Sequence, residues 1–180
     1  MSGELQGLTI WLTGLPAAGK TTVGDLVAAA LQERGRTVER FDGDVVRRHL
    51  SAGLGYSRED RDTNVARIGW VASRLTRAGV AVVVSVIAPY AAARRQARAL
   101  VEEHGTFVEV YVDASVEECA RRDVKGLYAR AFRGEILDLT GVGDPYEIPE
   151  TPELRLDTEA ETPEASAQRV LDLLSDRGLV

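Results

Sequence analysis

Eight consecutive residues near the beginning of the chain have the types and spacing of a phosphate-binding loop. They are Gly14, Leu15, Pro16, Ala17, Ala18, Gly19, Lys20 and Thr21, followed by Thr22. In the pattern Gly-x4-Gly-Lys-Thr, the glycines let successive N–H groups turn toward phosphate oxygens at the positive end of the next helix. Lys20 then reaches the β- and γ-phosphates of a nucleotide, and the Thr21 hydroxyl can hold Mg²⁺. The predicted chemistry is transfer of the γ-phosphate of ATP.

The residues on either side of this loop support the prediction. Residues 8–12 have the pattern of a strand and residues 22–35 that of a helix, which is the context that a phosphate-binding loop requires. The alternative, a glycine turn with an exposed lysine, does not explain that context. Inside the loop, Pro16, Ala17 and Ala18 are small but are not glycines. We therefore expect them to accept the dihedral angles of the loop without a positive φ.

Two carboxylates follow the second predicted strand, in the sequence Asp42-Gly43-Asp44. Ligands of open parallel sheets bind at the carboxyl ends of the strands, which is where these side chains would lie. One carboxylate could orient or deprotonate an acceptor hydroxyl, and the other could hold a water of Mg²⁺. The alternative is an ordinary turn and helix cap. Proximity to a phosphate-binding loop favours the catalytic interpretation.

A polar stretch beyond this turn combines three arginines with a tyrosine and an asparagine. An anionic substrate needs guanidinium groups, and an aromatic ring beside them can stack on a base. The alternative is a solvated helix face, which is common for arginines. These residues are Arg47, Tyr56, Arg61, Asn64 and Arg67.

Three further arginines, Arg94, Arg95 and Arg98, lack neighbours of this kind. Closely spaced charges in a helical stretch are typical of a solvated face. We predict such a face here and leave these residues out of the candidate site.

The elements that must position these groups alternate between strands and helices. Apolar runs occur at residues 8–12, 37–41, 80–86 and 107–112, each followed by a stretch long enough for a helix. The run 80–86 is apolar on both faces, as in a central parallel strand covered by helices. Helix starts are predicted at Ser57 and Ser115, each with an acid three residues later, and at Thr162 before Pro163.

Residues 121–149 lack a clean period, because glycines and a proline interrupt charged and aromatic residues. Long connections are uncommon in compact domains unless they cover a site. A kinase must exclude water from the phosphate that it transfers. We therefore predict a lid at about residues 121–133 and an acceptor-side loop at about residues 134–150, within one domain spanning residues 1–180.

Composition limits the function further. The chain has 180 residues and a net charge of −6, which disfavours nucleic acid or an anionic membrane as its main partner. Neither a signal segment nor a membrane span is predicted, so we expect a cytoplasmic protein. Cys119 is the single cysteine, which excludes an internal disulfide and, with His49 and His104 the only histidines, disfavours a zinc site. We expect a buried, inert thiol.

Together these motifs resemble the adenylyl-sulfate kinase family, over nearly the whole chain. Lys-Gly-Leu-Tyr followed by Thr-Gly and Pro-Tyr-Glu is specific for that family, whereas the phosphate-binding loop alone identifies only a superfamily. The resemblance implies a P-loop NTPase-type α/β fold, a three-layer αβα sandwich with a mostly parallel five-stranded sheet and a lid. The matching segments are residues 14–22, 42–47, 55–57, 60–61, 64, 87–90, 122–128, 140–141 and 144–147.

The resemblance also implies the substrates ATP and adenosine 5′-phosphosulfate, with Mg²⁺ as cofactor. Arg47, Arg61 and Asn64 would hold the phosphosulfate and ribose of the acceptor, and Tyr56 would stack on its adenine. The residues that would complete this pocket are Ile87, Ala88, Lys125, Gly126, Leu127 and Leu139.

For catalysis, with the resemblance in view, we favour Asp42 facing the 3′-hydroxyl and Asp44 in the water shell of Mg²⁺, although the two roles could be exchanged. Arg121 would belong to the lid over ATP. The family also implies a homodimer and functional coupling to a separate ATP sulfurylase.

Two positions depart from the family pattern. Ala88 stands where many members have a serine that is associated with a phosphoserine intermediate, so transfer here must be direct. Leu139 stands where a phenylalanine is common, which removes one face that could stack on the acceptor adenine. The alternatives are a related P-loop kinase with another small hydroxylated acceptor and a nucleotide-binding regulatory subunit. The intact Lys20, Thr21 and aspartates disfavour the second.

Overall fold

A computed structural model of the protein describes residues 6–180. Its strands are β1 Leu8–Thr13, β2 Val38–Asp42, β3 Ala81–Ser85, β4 Thr106–Asp113 and β5 Leu154–Asp157. They form a sheet of order β2-β3-β1-β4-β5 in which every neighbouring pair is parallel. All five strands therefore end at the same edge of the sheet.

Helices cover both faces of this sheet. They are α1 Lys20–Glu33, α2 Gly43–His49, α3 Arg58–Arg77, α4 Ala91–Glu102, α5 Val116–Arg122, α6 Leu127–Phe132 and α7 Pro163–Asp176. On one side α1 packs against α7, and on the other α3 packs against α4. The prediction of a three-layer αβα sandwich is confirmed.

The side chains of β1 alternate between the two faces of the sheet and so pack against both helix layers. Leu8, Ile10 and Leu12 belong to the hydrophobic cluster that includes residues of α1 and α7. Trp11 points to the opposite face and belongs to the cluster with residues of α3 and α4. Successive side chains of a strand point to opposite faces, so a strand covered on both sides must be apolar at nearly every position. Every residue of β1 is buried.

The four strands expected from apolar runs are present, but two details differ from expectation. The run at 80–86 forms β3, which is buried throughout yet lies between β2 and β1, so that β1 is the middle strand. The strand β5 was not located from the sequence. It has four residues, of which Leu156 alone is buried, and it pairs only with β4 at the edge of the sheet.

The predicted helix starts are confirmed by their capping hydrogen bonds. Ser57 Oγ accepts from the Asp60 N–H at 3.1 Å, and Ser115 Oγ accepts from the Glu118 N–H at 3.2 Å. Thr162 caps α7, with Pro163 at its first position. Each cap satisfies a backbone donor that has no partner within the helix.

The predicted lid contains more regular structure than its sequence indicated. It begins in the last turn of α5 and includes the short helix α6, which starts after Gly126 in the left-handed conformation. The acceptor-side loop from 134 to 150 contains turns and one isolated bridge between Thr140 and Asp144. No helix among residues 6–180 is both long and apolar enough to cross a membrane.

The arginines of α4 do not form the solvated face that we predicted. Arg94 is 3% exposed, because its guanidinium pairs with Glu109 of β4 and donates to two carbonyl oxygens. Arg98 is partly buried and bonds to Glu153. Arg95 is exposed, as expected. The prediction was wrong for Arg94, since the carboxylate that neutralises it lies in a strand distant in sequence.

The close packing of α3 on α4 gives a testable expectation at Gly69. A Cβ at this position would lie 2.8 Å from the Ala97 Cβ and 2.9 Å from the Ala97 Cα. The backbone of α4 at Ala97 would therefore have to move. We expect Gly69→Val to lower the free energy of unfolding by about 1 to 3 kcal/mol through overpacking. Ala66→Val, at an exposed position of the same helix, is the matched control with the same β-branched side chain. Urea unfolding of both variants measures the difference, and equal stability would contradict the packing argument.

Candidate active site

The phosphate-binding loop joins β1 to α1 at the carboxyl edge of the sheet, as predicted. Helix α1 begins at Lys20, whose Nζ donates to the carbonyl oxygens of Gly14 at 2.9 Å and Leu15 at 2.6 Å. Lys20 is 8% exposed, and this burial lowers the pKa of its ammonium group to about 8. The one lysine of the loop is therefore held by the loop itself.

The backbone of the loop explains two of its residues and corrects one expectation. A Cβ at Gly14 would lie 2.3 Å from the Val112 carbonyl oxygen, so the loop can pack against β4 only with glycine there. Gly19 precedes the helix with φ at 104°. Ala17 has φ at 62°, contrary to our expectation for the non-glycine residues. A left-handed residue with a Cβ costs about 1 to 2 kcal/mol, so the surrounding structure must hold the loop in this shape.

Donors from distant segments bond to the carbonyl oxygens of the loop. The buried Tyr128 hydroxyl of α6 donates to Pro16 O at 2.8 Å. The Thr158 hydroxyl donates to Ala18 O at 2.8 Å, and Arg122 reaches the same oxygen at 3.3 Å. None of these three contacts was predicted, because each joins the loop to a residue more than 100 positions later. The signal available was Tyr128 itself, a buried aromatic with a hydroxyl that needs a partner.

Arg121 was the lid residue predicted to contact ATP, and it lies at the end of α5. Its guanidinium bonds to Glu118 and its side chain is 73% exposed. The neighbouring Arg122 is the arginine that contacts the phosphate-binding loop. A contact of Arg121 with ATP remains a prediction.

The Asp-Gly-Asp turn lies directly beside the loop. Thr21 Oγ1 donates to Asp42 Oδ2 at 2.6 Å, and the Asp44 N–H donates to Asp42 Oδ1 at 3.0 Å. Asp42 is therefore the cap of α2, as the alternative interpretation proposed, and it also contacts the loop. The Asp44 carboxylate pairs with Lys125 of the lid. The turn thus connects the phosphate-binding loop with the lid.

The oxygen groups of this turn fit a hard divalent cation. The Thr21 hydroxyl and the carboxylates of Asp42 and Asp44 are the oxygen donors that Mg²⁺ prefers, usually with waters and substrate phosphates completing the shell. Within residues 6–180 no cluster of three or more His, Cys, Asp or Glu side chains could hold a metal by itself. The protein oxygens available to a metal ion at this place are those of Thr21, Asp42 and Asp44.

Two predicted acceptor residues lie together on the surface. Arg47 donates to the Gly55 carbonyl oxygen at 2.7 Å, and its guanidinium carbon lies 4.8 Å from the centroid of the Tyr56 ring. Tyr56 is 60% exposed. An exposed ring beside a guanidinium group is available for stacking on a planar ligand.

Arg61 and Asn64 are buried in α3, and their surroundings differ. The Arg61 guanidinium donates to Tyr56 O, Thr140 Oγ1 and Asp138 O and lies 3.3 Å from an Asp144 oxygen. Its two terminal nitrogens thus bond to the acceptor-side loop, and its Nε bonds to the backbone just before α3. Asn64 Oδ1 is buried and has no hydrogen-bond partner within residues 6–180.

The remaining pocket residues lie after β3, in the lid and in the acceptor-side loop. Thr13 Oγ1 donates to Ile87 O at 2.5 Å, which fixes this turn to the end of β1. Ala88 is buried and has φ at 43°. Leu139 is 8% exposed and belongs to the main hydrophobic cluster, so its contact with an acceptor remains a prediction. Lys125 and Gly126 immediately precede Leu127, the first residue of α6.

Comparison with known proteins identifies relatives over the whole fold. The family model described as adenylylsulphate kinase matches residues 6–157. Adenylyl-sulfate kinase of Halothermothrix orenii is 49% identical over 175 residues, covering 97% of this chain and 93% of the relative. The enzyme of a Picosynechococcus strain is 49% identical over 177 residues, covering 98% of both chains.

Solved structures of similar fold cover nearly the whole chain. The APS kinase of Mycobacterium tuberculosis, in complex with AMPPNP and APS, is 42% identical with a TM-score of 0.91, covering 94% of this chain and 98% of that one. The hexameric APS kinase of Thiobacillus denitrificans is 40% identical with a TM-score of 0.77, covering 98% of this chain and 30% of that one. Shikimate kinase of Acinetobacter baumannii, 19% identical with a TM-score of 0.56 over 96% of this chain and 95% of that one, shares the fold.

The lowered pKa of Lys20 predicts a specific pH dependence of stability. Between the folded pKa of about 8 and the usual lysine value of about 10.4, the unfolded state binds more protons than the folded state. Burial of the charged ammonium group therefore lowers the free energy of unfolding by its full amount below pH 8. This penalty decreases as the pH rises toward 10.4. Relative to Lys20→Met, we expect the wild-type free energy of unfolding to rise by up to about 3 kcal/mol across this range.

Denaturant unfolding at pH 7, 8, 9 and 10 measures this difference. Lys125→Met, which alters the exposed lysine of the lid, is the control for general effects of losing a positive charge. A difference between wild type and Lys20→Met that does not change with pH would contradict the effect of burial on the Lys20 pKa.

Proposed function

The chain belongs to the adenylylsulphate kinase family, and on this premise we propose a role for each group of side chains around the phosphate-binding loop. Its activity is the ATP-dependent phosphorylation of the 3′-hydroxyl of adenosine 5′-phosphosulfate, which yields ADP and 3′-phosphoadenosine 5′-phosphosulfate. The observation that carries this function is identity near 50% over almost the full length of curated adenylyl-sulfate kinases.

Direct transfer follows from the side chains that are present. The 3′-oxygen of the acceptor attacks the γ-phosphorus, the bond from that phosphorus to the bridging β,γ-oxygen breaks, and ADP leaves. Such a transfer needs alignment and positive charge more than covalent chemistry. The Ala88 methyl group cannot carry a phosphate, so no phosphoserine forms at this position. Lys20, which is 8% exposed, would supply positive charge to the transferred phosphoryl group.

The contacts of the two aspartates support exchanging the roles that the sequence favoured. Asp42 Oδ2 accepts from the Thr21 hydroxyl, the group expected on the metal, and Oδ1 accepts from the Asp44 N–H at the start of α2. The Asp44 carboxylate extends toward Lys125 of the lid, which is expected at the acceptor. We therefore assign Asp44 to the proton of the 3′-hydroxyl and Asp42 to the metal and its water shell. An anionic carboxylate beside that hydroxyl is suited to accept its proton.

A kinase that uses ATP works with a divalent metal ion, and we propose that this ion is Mg²⁺. Thr21 and Asp42 would hold it together with the nucleotide phosphates and waters, since hydroxyl and carboxylate oxygens suit its preferences. When bound, it neutralises charge on the β- and γ-phosphates and favours departure of ADP. The chain itself orients Thr21 for this task through the Asp42 hydrogen bond.

For the acceptor, we propose that Arg47 and Asn64 bind the phosphosulfate and ribose and that Tyr56 stacks on the adenine. The exposed ring of Tyr56 and the unpartnered Asn64 oxygen within residues 6–180 support these roles. The buried contacts of Arg61 favour a role in holding the acceptor-side loop. The pocket is completed by Ile87, Ala88, Lys125, Gly126, Leu127 and Leu139.

We further propose a cytoplasmic homodimer that acts together with a separate ATP sulfurylase, which makes its substrate. The hexameric relative supports assembly, although that chain is far longer than this one. The rival hypothesis of another small acceptor is less well supported, because the similarity to other small-molecule kinases is below 25% identity and reflects the fold.

The function is tested with purified protein, Mg-ATP and adenosine 5′-phosphosulfate, following ADP release together with the 3′-phosphorylated product. We expect turnover in the wild type and loss of about two or more orders of magnitude in Lys20→Ala, because charge stabilisation at the transferred phosphoryl group is removed. Arg95→Ala, at an exposed arginine outside the proposed site, is the control for nonspecific loss of positive charge. Tight ATP binding without turnover of this acceptor would refute the function, and an active Lys20→Ala would refute the role of the loop lysine.

The assignment of the two aspartates is tested with Asp42→Asn and Asp44→Asn. We expect Asp42→Asn to raise the Mg²⁺ concentration needed for half-maximal activity, because a carboxylate near the metal is lost. Asp44→Asn should instead lower kcat about 100-fold or more with an unchanged Mg²⁺ requirement, because the proton acceptor is lost. Titration of activity with Mg²⁺ at saturating substrates separates the two effects. The reverse pattern would return the roles to the assignment favoured by sequence.

A further inference from the structure

We infer that Arg94, which lies outside the residues assigned to either substrate, is a positioning residue for the acceptor. It holds the Ile87–Ala88 turn in the geometry that the acceptor pocket requires and ties that turn to the phosphate-binding loop. The inference rests on the proposed place of Ile87 and Ala88 in the acceptor pocket.

Arg94 is 3% exposed and uses all three of its guanidinium nitrogens. Nε donates to Glu109 Oε1 at 3.0 Å, one terminal nitrogen donates to Ala88 O at 2.7 Å, and the other donates to Glu147 O at 2.6 Å. These partners belong to β4, to the turn after β3 and to the acceptor-side loop. A single planar group therefore joins three segments that are distant in sequence, which only the fork of an arginine can do.

The contact with Ala88 matters because this residue is strained. Its φ of 43° is in the left-handed region, which a residue with a Cβ occupies only when its surroundings hold it there. The Arg94 hydrogen bond fixes the Ala88 carbonyl directly. Rotation of the turn to a relaxed conformation would redirect this carbonyl and leave a buried guanidinium nitrogen unpaired, which is costly.

The same cluster reaches the donor side through Tyr146. The guanidinium carbon of Arg94 lies 5.6 Å from the centroid of the Tyr146 ring, and the Tyr146 hydroxyl lies 2.9 Å from Thr13 Oγ1. Thr13 donates in turn to Ile87 O at 2.5 Å and immediately precedes Gly14 of the phosphate-binding loop. The acceptor turn and the donor loop are thus positioned by a shared set of contacts.

Glu147 bonds to the backbone that follows the Ile87–Ala88 turn. Its N–H donates to Pro89 O at 2.8 Å, and its Oε2 accepts from the Ala91 N–H at 2.7 Å. The acceptor-side loop is therefore joined to Pro89 and to Ala91, the first residue of α4. Arg94, by holding the Glu147 carbonyl, keeps this loop and the turn at a fixed separation.

Arg94→Lys tests the role while keeping the charge beside Glu109. A lysine can satisfy that carboxylate but cannot also reach both carbonyl oxygens in the plane of the fork. We expect the KM for adenosine 5′-phosphosulfate to rise about tenfold or more, with the KM for ATP unchanged within about twofold. Arg98→Lys is the matched control, since Arg98 lies one turn later and contacts Glu153 and Glu109 without touching the turn. Equal changes in both KM values, or no change in either, would overturn the inference.

Adding Ala88→Gly to Arg94→Lys separates positioning from a general structural role. Glycine adopts the left-handed conformation with little strain, so the turn depends less on Arg94 to hold it. We expect the double variant to recover at least about threefold of the lost acceptor affinity. A merely structural role for Arg94 predicts no recovery, and that result would contradict the inference.

The charge-neutral pair Arg94→Met with Glu109→Met covers the case in which single variants fail to fold. Replacing both members of a buried ion pair by apolar side chains is tolerated far better than removing one. We expect a folded protein that binds ATP and has a raised KM for the acceptor; an unchanged acceptor KM would overturn the inference.

Two reference measurements distinguish the possible failures. Absence of wild-type turnover would refute the function itself. Arg47→Ala with an unchanged acceptor KM would refute the pocket assignment on which the inference rests. Failure confined to the Arg94 variants would refute the inference alone.

Discussion

The structure depends on one constraint of the phosphate-binding loop, which is that its carbonyl oxygens need side-chain donors, most of them from outside the loop. A loop that directs N–H groups toward a bound anion turns carbonyl oxygens outward, and buried oxygens without partners are costly. Lys20 satisfies Gly14 and Leu15, Tyr128 satisfies Pro16, and Ala18 bonds to Thr158 and Arg122. These donors come from α1, the lid and the turn after β5. The loop therefore keeps its shape only when the rest of the domain has assembled around it.

The parallel sheet makes this assembly possible. All five strands end at one edge, so the loop after β1, the aspartate turn after β2 and the turn after β3 lie next to each other. Gly14 allows the loop to approach β4 closely, where any Cβ would meet the Val112 carbonyl oxygen. Donor and acceptor groups are neighbours because of this edge, although tens of residues separate them along the chain.

Charge is the second condition that the fold must meet. The chain carries a net charge of −6, yet it transfers phosphate between two anions and so needs local positive charge. The arginines near the proposed acceptor pocket fall into two groups by environment. Arg47 is partly exposed beside Tyr56, whereas Arg61 and Arg94 are buried and hold backbone carbonyls of the acceptor-side segments. We propose that these buried arginines act on substrate geometry through the backbone that they hold.

Four of the five strands, the capped helix starts, the phosphate-binding loop and the family could be predicted from sequence, because these depend on short-range spacing and local backbone chemistry. The sequence did not locate β5, whose four residues have one buried side chain, nor the left-handed Ala17. It placed Arg94 on a solvated face, since its partners Glu109 and Glu147 are distant along the chain. Tertiary structure alone decided these points, because the environment of a charged side chain is set by which segments fold against it.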